Sequence, residues 1–300
     1  MSDPLALVPL AAAARGGLVD MLDARQLVGA GITLLQRCAP LVRVLALRRA
    51  AILLPNSADF LLALAACEGR GALLLDPASP PSETAQRLAA ANVGAVLTLA
   101  SLERLLPDNM ARVVLDLAPG HATFINGAER RVVDLGSHVG FPLEGESDVE
   151  GRDEEAVLLP TTDPGGFTTL SHRELLATAR AVASDTGLTE HDHSLATLPF
   201  AHPVGLTASL MAPLLMGAHV TTMADFSAAE ALEAIERTGI TFVAGDQTMY
   251  EALISAIEGR ARTLDAPALR VSLWGNGPAP ADLSARWLAA SGIALQSMPS

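Results

Sequence analysis

Between Ala156 and Leu175 an apolar run, Ala156 to Leu159, leads into Pro160-Thr161-Thr162-Asp163-Pro164-Gly165-Gly166 and then to Ser171-His172-Arg173-Glu174-Leu175. The apolar run reads as a buried strand, and the prolines and glycines after it force a loop. Ser171, with Glu174 three residues on, is a capping-box pair that opens a helix. Strand, glycine-containing loop and capped helix is a layout that binds phosphate, because free backbone N–H groups and the positive end of a helix dipole converge there. Thr161, Thr162, Gly165 and Gly166 are the candidate phosphate contacts, although threonines are equally ordinary as turn residues. Asp163 works against an anion: a carboxylate about 5 Å from a phosphate costs roughly 3 kcal/mol at an effective dielectric of about 20.

One absence limits the chemistry further. All 20 basic residues are arginine, so a mechanism that needs a lysine cannot be completed by this chain alone. His191-Asp192-His193 has the look of a metal cluster, but i, i+2 spacing in a polar loop reads as solvated, and no metal ligands are assigned. Gly275-x-Gly277 follows a strand, yet Pro280 breaks the dinucleotide fingerprint. Ser171 lacks a Gly-x-Ser-x-Gly elbow and reads as a cap, not a nucleophile. No catalytic residue is assigned.

The elements that must hold these residues alternate along the chain. Residues 17–49 read as helical; strands at 50–55, 72–75, 95–99 and 112–117 then alternate with helices at 58–69, 82–91 and 101–106. After an acidic, period-free stretch at 136–154, which reads as a linker or surface loop between two halves, strands at 156–159, 194–200, 219–223, 240–244, 270–274 and 293–296 alternate with helices at 171–186, 204–216, 227–238, 247–258 and 281–291. Short apolar runs alternating with amphipathic helices predict an α/β fold, as two layered subdomains, 1–150 and 151–300, each a mostly parallel sheet flanked by helices.

Composition narrows the partners. With 33 acidic against 20 basic residues, a net charge of −13 and no basic patch, nucleic acid is excluded as a partner. Cys38 and Cys67 are too few for a disulfide framework and read as buried reduced thiols of a cytoplasmic protein. No charged side chain occurs between Asp192 and Asp225, but Pro199, Pro203 and Pro213 interrupt that stretch, which reads as a buried helix and a strand, not a membrane span.

Several segments, in order, resemble the adenylate-forming enzymes, the acyl-CoA and acyl-carrier-protein synthetases and their relatives. Thr161, Thr162 and Ser171-His172-Arg173-Glu174-Leu175 match that family's phosphate loop, while Pro160 and Asp163 stand where glycines belong and Gly166 where its lysine belongs. Leu54-Pro55-Asn56-Ser57-Ala58-Asp59-Phe60, Gly71-Ala72-Leu73-Leu74-Leu75-Asp76-Pro77 and Leu198-Pro199-Phe200-Ala201-His202-Pro203-Val204-Gly205-Leu206 are similar to three further motifs. Gly245-Asp246-Gln247-Thr248 falls where a Gly-x-x-Thr turn opens a helix, and Leu273-Trp274-Gly275-Asn276-Gly277 where a glycine-rich strand end meets adenine.

The resemblance implies a large N-terminal domain whose phosphate loop is degenerate, the small C-terminal domain with its catalytic lysine being absent from this chain. It implies ATP and Mg²⁺ as cofactors, a fatty acyl substrate, and CoA, an acyl carrier protein or a second polypeptide as partner. It puts Gly275 and Gly277 at the nucleotide, and His202, Gly205, Asp246 and Gln247 at the acyl substrate, in a crevice at the strand C-terminal ends. His202 could orient a carboxylate through one ring nitrogen or simply cap its helix, and Gly205 could equally serve close packing. Loss of the lysine removes a further 1.5–3 kcal/mol or so, and with Asp163 the total approaches about 5–6 kcal/mol, on the order of four decades in nucleotide affinity. Three readings follow: an acyl-activating ligase domain that is impaired or completed by a second polypeptide, a non-catalytic relative that binds acyl groups or docks a partner, or an incomplete fragment with no function of its own.

Overall fold

A computed structural model describes residues 17–67, 71–116, 120–135, 155–163, 165–260, 263–275 and 277–298. The chain divides into two compact units, one comprising Leu22–Leu175 and the other the stretch that ends at Met21 together with the chain from Leu176 onward. Two short strands come first, β1 (Leu18–Val19) and β2 (Leu22–Asp23), followed by helices α1 (Ala24–Arg37) and α2 (Ala39–Leu45). Next are β3 (Arg49–Leu53), α3 (Ala58–Ala66), β4 (Ala72–Leu75), α4 (Pro81–Ala90), β5 (Val93–Thr98) and a 3-10 turn at Ala100–Leu105. Strands β6 (Ala111–Asp116), β7 (His121–Asn126), β8 (Glu129–Asp134), β9 (Glu155–Pro160) and β10 (Phe167–Ser171) lead to α5 (His172–Thr186).

In the first unit an eight-stranded sheet runs β10-β9-β4-β3-β5-β6-β7-β8. Its middle, from β9 to β6, is parallel. Antiparallel partners close both edges, β10 on β9 and the β7–β8 hairpin on β6. Strand β4, Ala72-Leu73-Leu74-Leu75, is a continuous apolar run buried along its whole length, as a strand covered on both faces must be. One face packs Ala51, Leu53, Leu73, Leu75, Val96 and Leu158 against Leu88 of α4. Gly31 lets α1 lie close on α3, where a Cβ would run into the Leu62 carbonyl.

The second unit carries β11 (His193–Ala196), a π-helical stretch at Gly205–Met211 that continues as α6 (Ala212–Met216), β12 (His219–Thr222), α7 (Ala228–Arg237) and β13 (Phe242–Gly245). It ends with α8 (Gln247–Gly259), β14 (Val271–Trp274), α9 (Ala281–Ser291) and β15 (Leu295–Ser297). Its sheet runs β15-β14-β13-β11-β12, with the short β1 and β2 at the far edge. Every pair from β15 to β1 is parallel. The core on one face gathers Leu195, Leu232, Val243, Leu253 and Ile254 around Tyr250 and Trp287, whose rings meet edge-on at 5.0 Å.

The expected α/β architecture with two mostly parallel sheets is therefore what the chain forms, and the differences have local causes. Residues 17–49 are not one helical stretch. Asp20 and Met21 take left-handed backbone angles that turn the chain between β1 and β2, and Asp23 caps α1 through a 2.7 Å bond from the Arg25 N–H. Pro40 cannot continue the hydrogen bonding of α1, so α2 starts afresh at an angle of 89°. Residues 167–171, which the sequence left between loop and helix, form β10. Strands β7 and β8 had no counterpart in the sequence reading, and the stretch expected as a linker, 136–154, lies outside the described residues. Cys38 and Cys67 are buried free thiols, and burial pushes Cys67 up to about 12. Among the described residues no single helix is long and apolar enough to cross a membrane.

Candidate active site

The turn joining β9 to β10 is tighter than a loop that opens onto a helix. Phe167 pairs with Pro160, and the Thr161 N–H donates to the Gly166 carbonyl at 3.0 Å while the Gly166 N–H donates to the Asp163 carbonyl at 3.0 Å. Two of the N–H groups expected to face a phosphate are thus used within the turn. Gly165 has φ +80°, a conformation that favours glycine. Thr162 and Asp163 are exposed, whereas Thr161 and Gly166 are half-buried. A Cβ at position 166 would press on the Thr161 hydroxyl, so glycine fits where the resembled family carries lysine.

The helix dipole does not reach this turn as the sequence suggested. The capping box forms: Ser171 Oγ accepts from the Glu174 N–H at 3.2 Å, and the Glu174 carboxylate accepts from the Ser171 N–H at 2.8 Å. The Ser171 N–H and the Ser171 hydroxyl, each donating to the Glu174 carboxylate at 2.8 Å, hold that carboxyl below the usual carboxylate range. But the five residues of β10 separate this helix start from Gly166, about 16 Å of extended chain. Anion binding at the turn has to rely on the turn itself and on what packs beneath it.

What packs beneath it is an arginine that sequence reasoning passed over. Arg87, in the last turn of α4, is 9% exposed. One terminal nitrogen donates to the Thr161 carbonyl at 3.3 Å and pairs with Glu83 one turn back; the other reaches the Ser79 hydroxyl at 3.5 Å. In sequence it is one polar residue of an amphipathic helix, 74 positions from the turn, with nothing local to mark it.

In the second unit the expected residues cluster at the C-terminal ends of β13 and β14. The Gly275 N–H donates to the Gly245 carbonyl at 3.2 Å, and a Cβ on Gly275 would meet the side chain of Val204. Gly205 is buried, its α-carbon against the Pro199 carbonyl, where any Cβ would collide, so packing fixes glycine there. Gly277, at φ +76°, has open space beside it. His202 is exposed at the start of this helix, and its Nδ1 accepts from the Val204 N–H at 3.3 Å, which leaves Nε2 as the proton-bearing nitrogen of the neutral ring. Partial burial holds His202 below its ordinary range, with the Asp246 carboxylate pulling the other way. Asp246 caps α8 by accepting from the Met249 N–H at 2.9 Å, and the Gln247 amide donates to Glu251 at 2.7 Å along the helix surface.

In the His191-Asp192-His193 stretch His191 is exposed, as the composition suggested, but Asp192 is not. Asp192 is 4% exposed and receives Arg270 through two bonds, at 2.8 and 2.6 Å, together with the Thr241 hydroxyl at 2.7 Å and the Thr189 N–H at 2.7 Å. Burial opposes its ionised form, and the Arg270, Thr241 and Thr189 bonds overcome that, holding the carboxyl at about 2. Among the described residues no group of three or more His, Cys, Asp or Glu side chains could hold a metal ion.

Known proteins share this framework. A feruloyl-CoA synthase from Amycolatopsis is 32% identical over 141 residues, 46% of this chain and 28% of that protein. The 2-succinylbenzoate–CoA ligase of Bacillus subtilis is 28% identical over 241 residues, 78% of this chain and 44% of that one. The chain therefore spans less than half the length of these relatives. The ATP-bound structure of MatB from Rhodopseudomonas palustris superposes with a TM-score of 0.72 over 98% of this chain and 59% of its own, at 18% identity, a likeness of fold. The family described as AMP-binding enzyme matches residues 44–298, which takes in both sheets and nearly every element described above, and the chain belongs to that family.

Proposed function

We propose that the chain is the acyl-activating part of an AMP-forming acid–thiol ligase, with a fatty acid as substrate. In that reaction a carboxylate oxygen attacks the α-phosphorus of ATP while the bond from that phosphorus to the pyrophosphate oxygen breaks, giving acyl-AMP and pyrophosphate. A thiol of CoA or of an acyl carrier protein then attacks the acyl carbon, AMP leaves with the electron pair of its bond, and the thiol proton passes to solvent. The observation that carries this reading is the family match across residues 44–298. The relatives named as CoA synthase and CoA ligase favour CoA as the acceptor.

Within that reaction the Thr161 and Thr162 hydroxyls would donate to the β- and γ-phosphates. Mg²⁺, the ion that would accompany ATP, finds no ready-made cluster of His, Cys, Asp or Glu side chains among the described residues. A second reading, a non-catalytic relative that binds acyl groups, is favoured by one observation: two turn N–H groups are spent internally in a chain without lysine. Exchange of labelled pyrophosphate into ATP separates the two. The ligase reading expects label in ATP that depends on added fatty acid, at a low rate. Acyl-chain binding without any exchange would favour the second.

A further inference from the structure

Arg87 is a charged side chain placed where burial is costly. Moving a guanidinium out of water requires full hydrogen bonding to be tolerated, yet its Nε, buried in the first unit, has no hydrogen-bond partner among the described residues. The last turn of α4 favours a cation through the helix dipole, but that would hold equally for an arginine pointing into solvent. The inward course is explained by its contact: the terminal nitrogen on the Thr161 carbonyl, the first residue of the β9–β10 turn. Thr161 is then fixed from both sides, by Arg87 at its carbonyl and by Gly166 at its N–H. Ala90, three residues further along α4, lies 3.6 Å from where a Gly165 Cβ would project, so the same helix supports the other end of the turn.

We infer that Arg87 is the positioning residue of the 161–166 turn and its source of positive charge, standing in from a neighbouring helix for a cation that the turn itself does not carry. The inference rests on the reading of this turn as the site for the pyrophosphate part of a nucleotide. Glu83, paired with Arg87 and 38% exposed at its side chain, sets how much of that charge an anion feels. Asp163, exposed in the turn, opposes the anion independently.

The test is titration of the full 300-residue chain with inorganic pyrophosphate, followed by calorimetry, for wild type and three variants. Arg87→Gln keeps a donor for the Thr161 carbonyl and removes the charge; it should bind pyrophosphate about tenfold more weakly. Arg87→Lys restores charge with a poorer fit and should recover most of that loss, a rescue that a purely structural role would not give. Glu83→Gln changes a half-exposed residue, so it reads out the charge even where Arg87 variants fail to fold; it should tighten binding severalfold. Wild-type binding that is indifferent to Arg87→Gln and to Glu83→Gln overturns the role of Arg87 and leaves the proposed function standing. Absence of pyrophosphate binding by the wild type overturns both.

Discussion

Asp192 joins the start of β11 to Arg270 before β14 and to Thr241 before β13, while Arg270 also donates to the Thr186 and Gly187 carbonyls at 2.8 and 2.9 Å. One carboxylate thus ties three strand starts to the end of α5. Its pKa falls from 3.8 when unfolded to about 2 when folded, a shift that contributes about 2 kcal/mol. Because the folded value is the lower one, this stability is present above pH ~3.8 and is lost as pH falls through about 2. Asp192→Asn should cost roughly 2–3 kcal/mol at pH 7, and urea unfolding at a series of pH values should show the gap to wild type closing below pH ~4. Neither Asp192 nor Arg87 was legible as a buried group, since their partners lie 78 and 74 positions away and spacing along the chain carries no trace of them. The turn residues were legible as a turn, and Asp163 is exposed within it. Asp163→Gly should therefore raise affinity for MgATP at least tenfold, by removal of a repulsion of roughly 3 kcal/mol; an unchanged dissociation constant by calorimetry would remove Asp163 from the neighbourhood of the phosphates.

Elements with a clean hydrophobic period were readable, because burial on a parallel sheet demands it. Ala72–Leu75, Val271–Trp274 and the capped helices α5 and α7 lie within a residue or so of where the sequence puts them. The β7–β8 hairpin escaped, though its two-residue loop, Gly127-Ala128, opens with the glycine that such tight turns favour. Polar and charged residues along β8 masked it: as the sheet's edge strand, four of its first five residues are exposed or charged outward. Gly127 has φ +57°, which a β-branched residue takes only at a cost of about 1–2 kcal/mol. Gly127→Val should lower the unfolding free energy by that amount, read as a lower urea midpoint, while leaving nucleotide titrations unaltered. Strand β10 was hidden for a related reason: Thr168 and Thr169 are exposed, so the segment lacks the apolar run that marked its neighbours. That omission mattered functionally, because β10 is what moves the α5 dipole away from the turn.

For the whole chain, shared order of motifs carried the family, and the family carried the fold. Fold alone does not fix activity, since the same scaffold hosts different chemistry. What separates this chain from the pattern it resembles is its cation supply: 20 arginines, no lysine, a net charge of −13, and a phosphate turn whose nearest described cation comes from the buried face of α4. A polyphosphate should therefore be held, but loosely. Calorimetric titration of the 300-residue chain with MgATP measures this directly. A dissociation constant on the order of a millimolar, or about −4 kcal/mol, is the predicted result. A micromolar constant would contradict it, since the turn would then grip its ligand more tightly than a single buried arginine paired with Glu83 allows.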